Sequence, residues 1–190
     1  MRIVGGKHRG RKLAAPAGKR VRPTSDRARE AVFNILSHGR FADSSPISGK
    51  RVCDAFCGTG AMGLEALSRG AAHATFLDSD PAVLEIAKEN AEKLGETQNA
   101  RFVRADATRP PKAPAPCGLL FLDPPYGSGL AQPALAALGR AGWIAEDAVV
   151  VVEVGAREKF AAPQGFETLD ERRYGAARVI LLAPRKTESA

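Results

Sequence analysis

A carboxylate, two prolines and a tyrosine follow a run of apolar residues, at Asp123, Pro124, Pro125 and Tyr126. The Asp123 carboxylate and the Pro124 carbonyl can each accept a hydrogen bond. Because proline has no N–H, the local backbone presents acceptors with few competing donors. The Tyr126 ring offers a face on which a base can stack. Such residues could hold an aromatic amine by its two N–H bonds, with its lone pair turned toward an electrophile.

The motif Asp-Pro-Pro-Tyr resembles the signature of methyltransferases that act on exocyclic amines of nucleobases, and of some that act on amide nitrogens. An aromatic amine is a poor nucleophile because its lone pair is delocalised into the ring. Catalysis would therefore consist mainly of positioning and electrostatics for an in-line methyl transfer, without a metal or a covalent enzyme intermediate. The structural alternative is a proline turn after a buried strand.

A second cluster lies upstream, where residues 52–63 are typical of a strand, a glycine-rich turn and the start of a helix. Gly58, Gly60 and Gly63 let the backbone approach a ligand closely. Several cofactor classes share this glycine spacing, and a tight turn without a ligand can also have it. The loop alone therefore does not identify a cofactor.

Acidic residues at the ends of the predicted strands narrow the choice of cofactor. Asp78 lies about 20 residues beyond the first glycine, where a carboxylate meets ribose hydroxyls. Asp106 ends the next strand, where a carboxylate can reach an adenine amino group. Asp54 can face the ammonium of a methionine moiety and would repel the pyrophosphate of NAD. This pattern favours S-adenosylmethionine over NAD, whereas Asp80 is better explained as a helix N-cap.

The elements that must position these residues alternate from residue 50 onward. Strands are predicted at 51–55, 74–78, 101–105, 119–123 and 149–154, and helices at 61–68, 81–94 and 131–138. Residues 166–172 and 177–182 predict a final antiparallel hairpin. The pattern indicates an α/β, doubly wound Rossmann-like fold with a mainly parallel seven-stranded sheet. Its carboxyl edge would hold the site, and Glu153 could line that edge or merely be exposed.

The crossover at residues 107–117 contains four prolines. Connections between parallel strands commonly contain a helix, but prolines at this density allow only a loop or a single turn.

The positive charge of the chain is concentrated at its N-terminus. Residues 1–29 hold ten of the 28 Lys and Arg residues but one of the 21 Asp and Glu residues. A basic arm on a near-neutral body favours a polyanion partner, and the alternative is a solubilising tail. Extended stretches at 2–4 and 12–14 around a glycine-containing turn predict a small N-terminal β-hairpin.

Three further segments carry a family resemblance: RPTSDRAREAVFNIL at 22–36, RIVGG at 2–6 and LEALSRGA at 64–71. They resemble the bacterial RsmD-type family of 16S rRNA (guanine-N2)-methyltransferases, and the resemblance covers nearly the whole chain. It implies a basic RNA-binding arm at 1–22, a class I methyltransferase domain at 23–184 and a tail at 185–190. The implied reaction is methylation of a guanine N2 amine in small-subunit (16S) rRNA, with S-adenosylmethionine as the cofactor.

The resemblance also implies roles for individual residues. Cofactor binding is expected from Asp54, Phe56, Gly58, Thr59, Gly60, Asp78, Ser79, Asp106 and Ala107. Asp123, Pro124, Pro125 and Tyr126 would bind and orient the guanine amine. Contacts with rRNA are expected from Lys7, Arg9, Arg11, Lys12, Arg22, Arg27 and Arg29. For the arginines at 22–29, a plain amphipathic helix with a solvated basic face is an equal alternative. The proline-rich crossover departs from the family pattern, which has a helix there.

Other functions remain as alternatives. An adenine-N6 methyltransferase of DNA or RNA would use the same motif, although the short chain shows no evident target-recognition domain. An NAD-dependent oxidoreductase would leave Asp-Pro-Pro-Tyr and the basic arm unexplained. A non-catalytic RNA-binding protein would not need the intact cofactor loop.

Composition sets the remaining expectations. No apolar run approaches the length of a membrane span, and the opening residues lack the apolar stretch of a signal peptide. Cys53, Cys57 and Cys117 fit no common zinc spacing. We therefore expect a cytoplasmic monomer without metal or membrane contact, whose partner is 16S rRNA, the small ribosomal subunit or its assembly intermediate.

Overall fold

The computed structural model describes residues 1–15, 26–41 and 44–185. Seven strands form one sheet: β1 (Arg51–Ala55), β2 (His73–Asp78), β3 (Ala100–Arg104), β4 (Cys117–Leu122), β5 (Ile144–Gly155), β6 (Phe166–Tyr174) and β7 (Ala177–Pro184). The helices are α1 (Asp26–Ser37), α2 (Ala61–Ser68), α3 (Pro81–Leu94) and α4 (Ala131–Arg140), with 3-10 turns at Gly6–His8, Gly39–Phe41 and Thr97–Asn99.

The strand order is β3-β2-β1-β4-β5-β7-β6. Strands β1 to β5 pair in parallel, and β7 runs antiparallel to both β5 and β6. This arrangement confirms the predicted α/β architecture, with its mainly parallel seven-stranded sheet and its antiparallel C-terminal hairpin. The carboxyl ends of the five parallel strands therefore meet at one edge.

Alternate side chains of the strands build one core on each face of the sheet. Phe76 and Phe121 pack with Leu64 and with the helical residues of α1 and α3 on one face. Leu120 and Trp143 belong to the core on the other face, which α4 covers. Strand β4 is buried along its whole length because both of its faces are covered, as expected for a central strand of a doubly wound sheet.

Helix α3 has the bounds that its capping residues predict. The Ala82 N–H donates to Oδ1 of Asp80 at 2.9 Å, so Asp80 is the N-cap. Gly95 ends the helix in the left-handed conformation, with a φ of 73°. These caps fix the start and end of the helix that follows β2.

The crossover from β3 to β4 is a loop, as its prolines predict. Residues 105–116 contain turns but no helix. The Trp143 indole Nε1–H donates to the Pro111 carbonyl at 2.8 Å, and the Ala113 N–H donates to the Ala141 carbonyl at 2.8 Å. These bonds to the chain entering β5 hold the loop over the face that a helix would otherwise cover.

The predicted N-terminal β-hairpin is wrong. Arg2 and Lys12 form one isolated antiparallel bridge, and Gly6–His8 between them form a 3-10 turn. The physical reason is competition from helix α2, because the Val4 N–H donates to Oε2 of buried Glu65 at 2.8 Å. Three backbone bonds join residues 1–3 to residues 10–13, but from Val4 onward the segment bonds α2, so the pairing does not extend into two strands.

Part of the predicted domain division lies outside the described residues, namely the boundary at residues 22 and 23 and the tail beyond Arg185. Within the described ranges, no helix is both long and apolar enough to cross a membrane.

Candidate active site

A cavity of about 620 Å³ opens at the carboxyl edge of the sheet. It brings together most of the residues predicted for the cofactor and the reaction. Those that line it are Asp54, Phe56, Gly58, Thr59, Asp78, Ser79, Asp123, Pro124, Pro125 and Tyr126. The cavity therefore combines the glycine turn after β1, the end of β2 and the Asp-Pro-Pro-Tyr loop after β4.

The turn after β1 is sharply bent. Gly58 and Gly60 have φ values of 53° and 77°, in the left-handed region that favours glycine. Phe56 adopts the same region with a φ of 59°, which is uncommon for a residue with a side chain. Neighbouring structure holds the turn, because the Cys57 N–H donates to the Leu77 carbonyl at 3.1 Å. The result is a backbone turn that faces the cavity.

Gly63, the third glycine of the motif, serves packing. A Cβ at this position would lie 2.4 Å from Cε1 of Phe76, inside van der Waals contact. Gly60, which does not line the cavity, is also close-packed, since a Cβ there would lie 3.1 Å from the Cβ of Ala87. Helix α2 can therefore approach β2 closely, which places the N-terminus of α2 at the cavity.

Asp54 is a buried carboxyl at the end of β1, and 2% of its surface is exposed. Burial raises its pKa well above the ordinary value. The Gly63 N–H, which donates to Oδ2 at 2.8 Å, acts against that rise, while repulsion from Asp123 and Asp78 adds to it. A cation placed beside Asp54 would favour the ionised carboxylate.

Asp78 is held by the backbone at the end of β2. The Asp80 N–H donates to its Oδ1 at 3.0 Å, and the Gly58 N–H donates to its Oδ2 at 3.1 Å. Each carboxylate oxygen has a second lone pair, so the group can still accept from a hydroxyl. The bond between Gly58 and Asp78 thus holds both the glycine turn and the Asp78 carboxylate in position.

Asp106 and Ala107 do not line the cavity. The Thr108 N–H and hydroxyl both donate to Oδ1 of Asp106 at 2.8 Å, and these bonds hold its pKa below the ordinary value. Ala107 is buried in the core on the α4 face of the sheet. The structure places this pair at the turn after β3.

The reaction loop after β4 carries side chains that are partly open to solvent. The Tyr126 hydroxyl donates to Oε1 of Glu153 at 2.5 Å, and 37% of Tyr126 is exposed. Glu153 lies on β5 opposite Val179 of β7 and lines the cavity. Of the two roles open to Glu153, the structure supports the lining role.

Glu158 is a site residue that sequence reasoning missed. The Gly127 N–H donates to its Oε2 at 2.8 Å, and the Gly155 N–H donates to the same oxygen at 3.2 Å. It therefore ties the loop after Asp-Pro-Pro-Tyr to the end of β5. Met1 also lines the cavity unexpectedly. No local sequence signal marks either residue, because both contacts join distant parts of the chain.

Some residues predicted to bind RNA have exposed side chains and others are engaged in the fold. Arg9, Lys12 and Arg27 are exposed. Lys7 Nζ lies 2.7 Å from Oε1 of Glu96, a nearly buried carboxylate. Hydrogen bonds from Asn99, Lys7 and His8 outweigh the effect of burial, so the pKa of Glu96 lies below its ordinary value. Lys7 therefore helps to dock the arm.

Arg11 donates from Nη2 to the Lys93 carbonyl at 2.9 Å and remains exposed. Arg22 lies outside the described residues.

Arg29 requires a correction, because its side chain is fully buried. Its Nη2 donates to Oδ1 of Asp26 at 2.8 Å and to the Arg2 carbonyl, and its Nε lies 3.6 Å from Oε2 of Glu65. A buried guanidinium with two carboxylate neighbours cannot reach a phosphate. Arg29 joins α1, α2 and the N-terminal segment.

The family model described as Conserved hypothetical protein 95 matches residues 1–183. Ribosomal RNA small subunit methyltransferase D of Escherichia coli (strain K12) is 40% identical over 155 residues, which cover 80% of this chain and 74% of that protein. The protein of the same name from Haemophilus influenzae is 32% identical over 180 residues, which cover 92% of this chain and 89% of that protein. The chain belongs to the RsmD family of methyltransferases. This confirms the family that the sequence segments resemble.

Solved structures support the RsmD-family assignment. The Escherichia coli protein yhhF, assigned as a methyltransferase, superposes with a TM-score of 0.83 at 35% identity, covering 98% of this chain and 99% of its own. The Haemophilus influenzae protein HI0767, assigned as a methylase, superposes with a TM-score of 0.76 at 30% identity. The superposition covers 95% of this chain and 96% of that one. The sheet is therefore that of a methyltransferase fold.

Proposed function

We propose that this protein transfers a methyl group from S-adenosylmethionine to the exocyclic N2 amine of a guanine in small-subunit (16S) ribosomal RNA. One observation carries the proposal. The cavity is lined by the acids Asp54 and Asp78 at the ends of β1 and β2, and by Asp123, Pro124 and Glu153 at the neighbouring strands β4 and β5. Relatives named Ribosomal RNA small subunit methyltransferase D support the choice of RNA.

The residues on the cofactor side fit S-adenosylmethionine. Asp54 would hold the ammonium of its methionine part, and Asp78 would accept from the ribose hydroxyls. The bent turn at Gly58 and Thr59 would lie against the cofactor, with Phe56, Gly60 and Ser79 shaping the same side. Asp106 would reach the adenine from the turn after β3, and buried Ala107 would support that turn from the core. When bound, this cofactor supplies a methyl group on a sulfonium, an electrophile that needs no activation by the protein.

The acceptor groups on the base side favour guanine over adenine. The Watson–Crick edge of guanine presents two donor groups, N1–H and the N2 amine, whereas N1 of adenine is an acceptor. A carboxylate facing N1 would attract guanine and repel the lone pair of adenine. Glu153 would provide this discrimination, and its position in the cavity lining and its bond to the Tyr126 hydroxyl support that role.

The chemical step would follow from how the base is held. Asp123 and the Pro124 carbonyl accept the two N–H bonds of the amine, while Pro125 keeps the loop free of a competing donor. The base stacks on Tyr126, and its nitrogen lone pair then points along the line of methyl transfer. The amine nitrogen would form its bond to the methyl carbon as the methyl–sulfur bond breaks, which leaves a neutral thioether. Positive charge would develop on that nitrogen, where the Asp123 carboxylate stabilises it. The amine would then lose one N–H proton, through Asp123 to solvent.

The remaining parts of the proposal concern the partner. Exposed basic residues of the arm at 1–22, such as Arg9, Arg11 and Lys12, would contact rRNA phosphates, and Arg27 would do so beside the active site. Residues 23–184 would form the catalytic domain. The substrate is 16S rRNA, free or in the small subunit or its assembly intermediate, methylated in the cytoplasm by a monomer.

The test is methyl transfer from labelled S-adenosylmethionine to small ribosomal subunits that lack the modification, to naked 16S rRNA and to DNA of matched length. We expect label in one or both RNA samples and none in DNA. Label in DNA alone, or in protein alone, would reject the proposed substrate. A melting temperature raised by NAD but not by S-adenosylmethionine would reject the methyltransferase reaction itself.

A further inference from the structure

We infer that a second basic surface, separate from the N-terminal arm, binds backbone phosphates of the RNA that flank the base in the cavity. This surface, the β5–β7 basic surface, consists of Arg157, Lys159, Arg173 and Arg178. The inference rests on the proposed RNA substrate and adds a binding surface to it.

The four cations line one shallow cavity of about 670 Å³. Arg157, Lys159 and Arg173 are exposed. The acid in this lining is Glu158, whose Oε2 accepts the Gly127 and Gly155 N–H groups, so its charge is directed at the backbone. The surface is therefore strongly positive, which suits a polyanion and its phosphates.

The sheet places two of these cations directly opposite one another. Arg173 of β6 pairs with Arg178 of β7 in the antiparallel ladder. Like charges in facing positions destabilise a sheet, and an anion bound between them would remove that cost. In addition, the buried Nε of Arg178 has no hydrogen-bond acceptor among the described residues. Because that Nε is buried, the anion would be held by exposed Arg173 and the neighbouring cations, with Arg178 contributing its charge from below.

Arg178 also shapes the surface. Its Nη2 donates to the carbonyls of Glu158 and Phe160, at 3.0 Å and 3.1 Å, and its Nη1 lies 3.5 Å from Oε1 of Glu171. Arg178 thus fixes the loop after β5 that carries Arg157 and Lys159. Three exposed cations remain to contact RNA, and Arg178 holds their loop in place.

The position of the surface links it to the reaction loop. Glu158 lies between Arg157 and Lys159, and it bonds the backbone of Gly127, the residue after Tyr126. A phosphate on this surface would therefore lie next to the nucleotide whose base stacks on Tyr126. The N-terminal arm contacts Lys93 and Glu96, just before β3 at the opposite end of the strand order. RNA held by both regions would cross the cavity between them.

A charge count along the sequence conceals this surface. The cations are interleaved with Glu158, Glu167, Asp170 and Glu171, so the segment is not conspicuously basic. Folding groups the positive charges, because it brings residues 157 and 159 beside residues 173 and 178. The negative charge of Glu158 is turned toward backbone N–H donors.

The test compares two triple variants that remove the same charge. One carries Arg157→Gln, Lys159→Gln and Arg173→Gln, and it leaves the structural Arg178 intact. The control carries Arg101→Gln, Lys112→Gln and Arg140→Gln, three exposed cations that do not line either cavity. The dissociation constants for naked 16S rRNA and for assembled small subunits are measured over a series of salt concentrations, together with the dissociation constant for S-adenosylmethionine.

We expect the surface variant to reduce the slope of log affinity against log salt by about 2, since each lost phosphate contact removes about 0.7. The control should keep the wild-type slope, and both variants should bind the cofactor as the wild type does. Equal slopes for the two variants would overturn the inference. So would normal binding of naked rRNA with weakened binding of assembled subunits, because the surface would then contact a protein. If the wild type binds RNA but transfers no methyl group, the proposed function fails while the slopes still decide this inference.

Discussion

The two sides of the cavity are held in place by different means. On the cofactor side, Asp54 and Asp78 accept hydrogen bonds from backbone N–H groups of the glycine turn and the adjoining helix starts. On the base side, exposed Tyr126 is held by the side chain of Glu153 on the next strand. The backbone of the local turn therefore preorganises the cofactor side, whereas the base side depends on side chains from β5 and the loop that follows it, namely Glu153 and Glu158. Substitutions on the cofactor side should change cofactor affinity, whereas substitutions on the base side should change kcat.

The largest effect is expected on the base side, from Asp123→Ala. Removing the carboxylate that holds the amine and stabilises its developing charge should lower kcat by about 10²–10³. The dissociation constant for the cofactor should change little, because the backbone bonds around Asp78 remain. Single-turnover rates and equilibrium cofactor binding measure the two effects. A variant that binds the cofactor as poorly as it reacts would show that the two sides are not separable.

Asp78→Ala should produce the complementary result. Losing hydrogen bonds to a charged group costs about 1.5–3 kcal/mol, so the cofactor dissociation constant should rise roughly tenfold to 100-fold. At saturating cofactor, kcat should stay within a few-fold of the wild type. Titration of cofactor binding and saturation kinetics are the measurements. Wild-type affinity would contradict the assignment of Asp78 to the cofactor.

Asp54 makes cofactor binding dependent on pH. Burial raises its pKa well above the ordinary value of 3.8, and a bound ammonium favours the carboxylate. Binding should therefore release a proton below the raised pKa. Affinity should increase by up to about tenfold for each pH unit as the pH rises toward that pKa. Calorimetry in two buffers of different ionisation enthalpy counts the protons, and Asp54→Asn should abolish the release.

The same shift has a consequence for the protein without cofactor. Because the folded pKa of Asp54 lies above the unfolded one, its contribution to stability is present at pH values below about 4. That contribution is lost as the pH rises through the folded pKa. Bound cofactor should oppose this loss. An affinity that does not change with pH would contradict a protonated Asp54 in the cofactor-free protein.

The smallest effect is expected from Glu153→Gln, which changes selectivity. Because a carboxamide can both donate and accept, the preference for guanine over adenine should fall, by about tenfold for one hydrogen bond of 1–3 kcal/mol. Competition between oligonucleotides that differ at the target base measures the preference. Tyr126→Phe is the matched control, since it removes the bond to Glu153 but keeps both the ring and the carboxylate. If Glu153→Gln leaves the selectivity unchanged, the role of Glu153 is to hold Tyr126 and not to select the base.

The sequence predicts the cofactor side better than the base side for a physical reason. Asp54, the glycine turn and Asp78 belong to one strand–turn–helix–strand unit, so local spacing places them together. The pair of Tyr126 and Glu153 joins residues 27 positions apart, and it exists because β4 and β5 are neighbours in register. Strand periodicity shows that such neighbours exist, but it does not specify which side chains meet.

Charge and spacing in the N-terminal residues did not predict which side chains are exposed. Arg29 has the spacing of a solvated basic face, yet the fold buries it between Asp26 and Glu65. The N-terminal hairpin prediction failed similarly, because donors such as the Val4 N–H bond Glu65 instead of a second strand. In both cases Glu65 of α2 is one of the partners, and it is far away in the sequence, so residue spacing within the N-terminal segments does not predict the contact.

The most direct measurement is the identity of the methylated nucleoside. Small-subunit RNA that lacks the modification would be incubated with labelled S-adenosylmethionine and digested, for the wild type and for Asp123→Ala. Labelled N2-methylguanosine from the wild type, with at most a hundredth of that rate from the variant, is the predicted result. N6-methyladenosine as the product, or equal labelling by the variant, would contradict a base side built to hold the guanine amine.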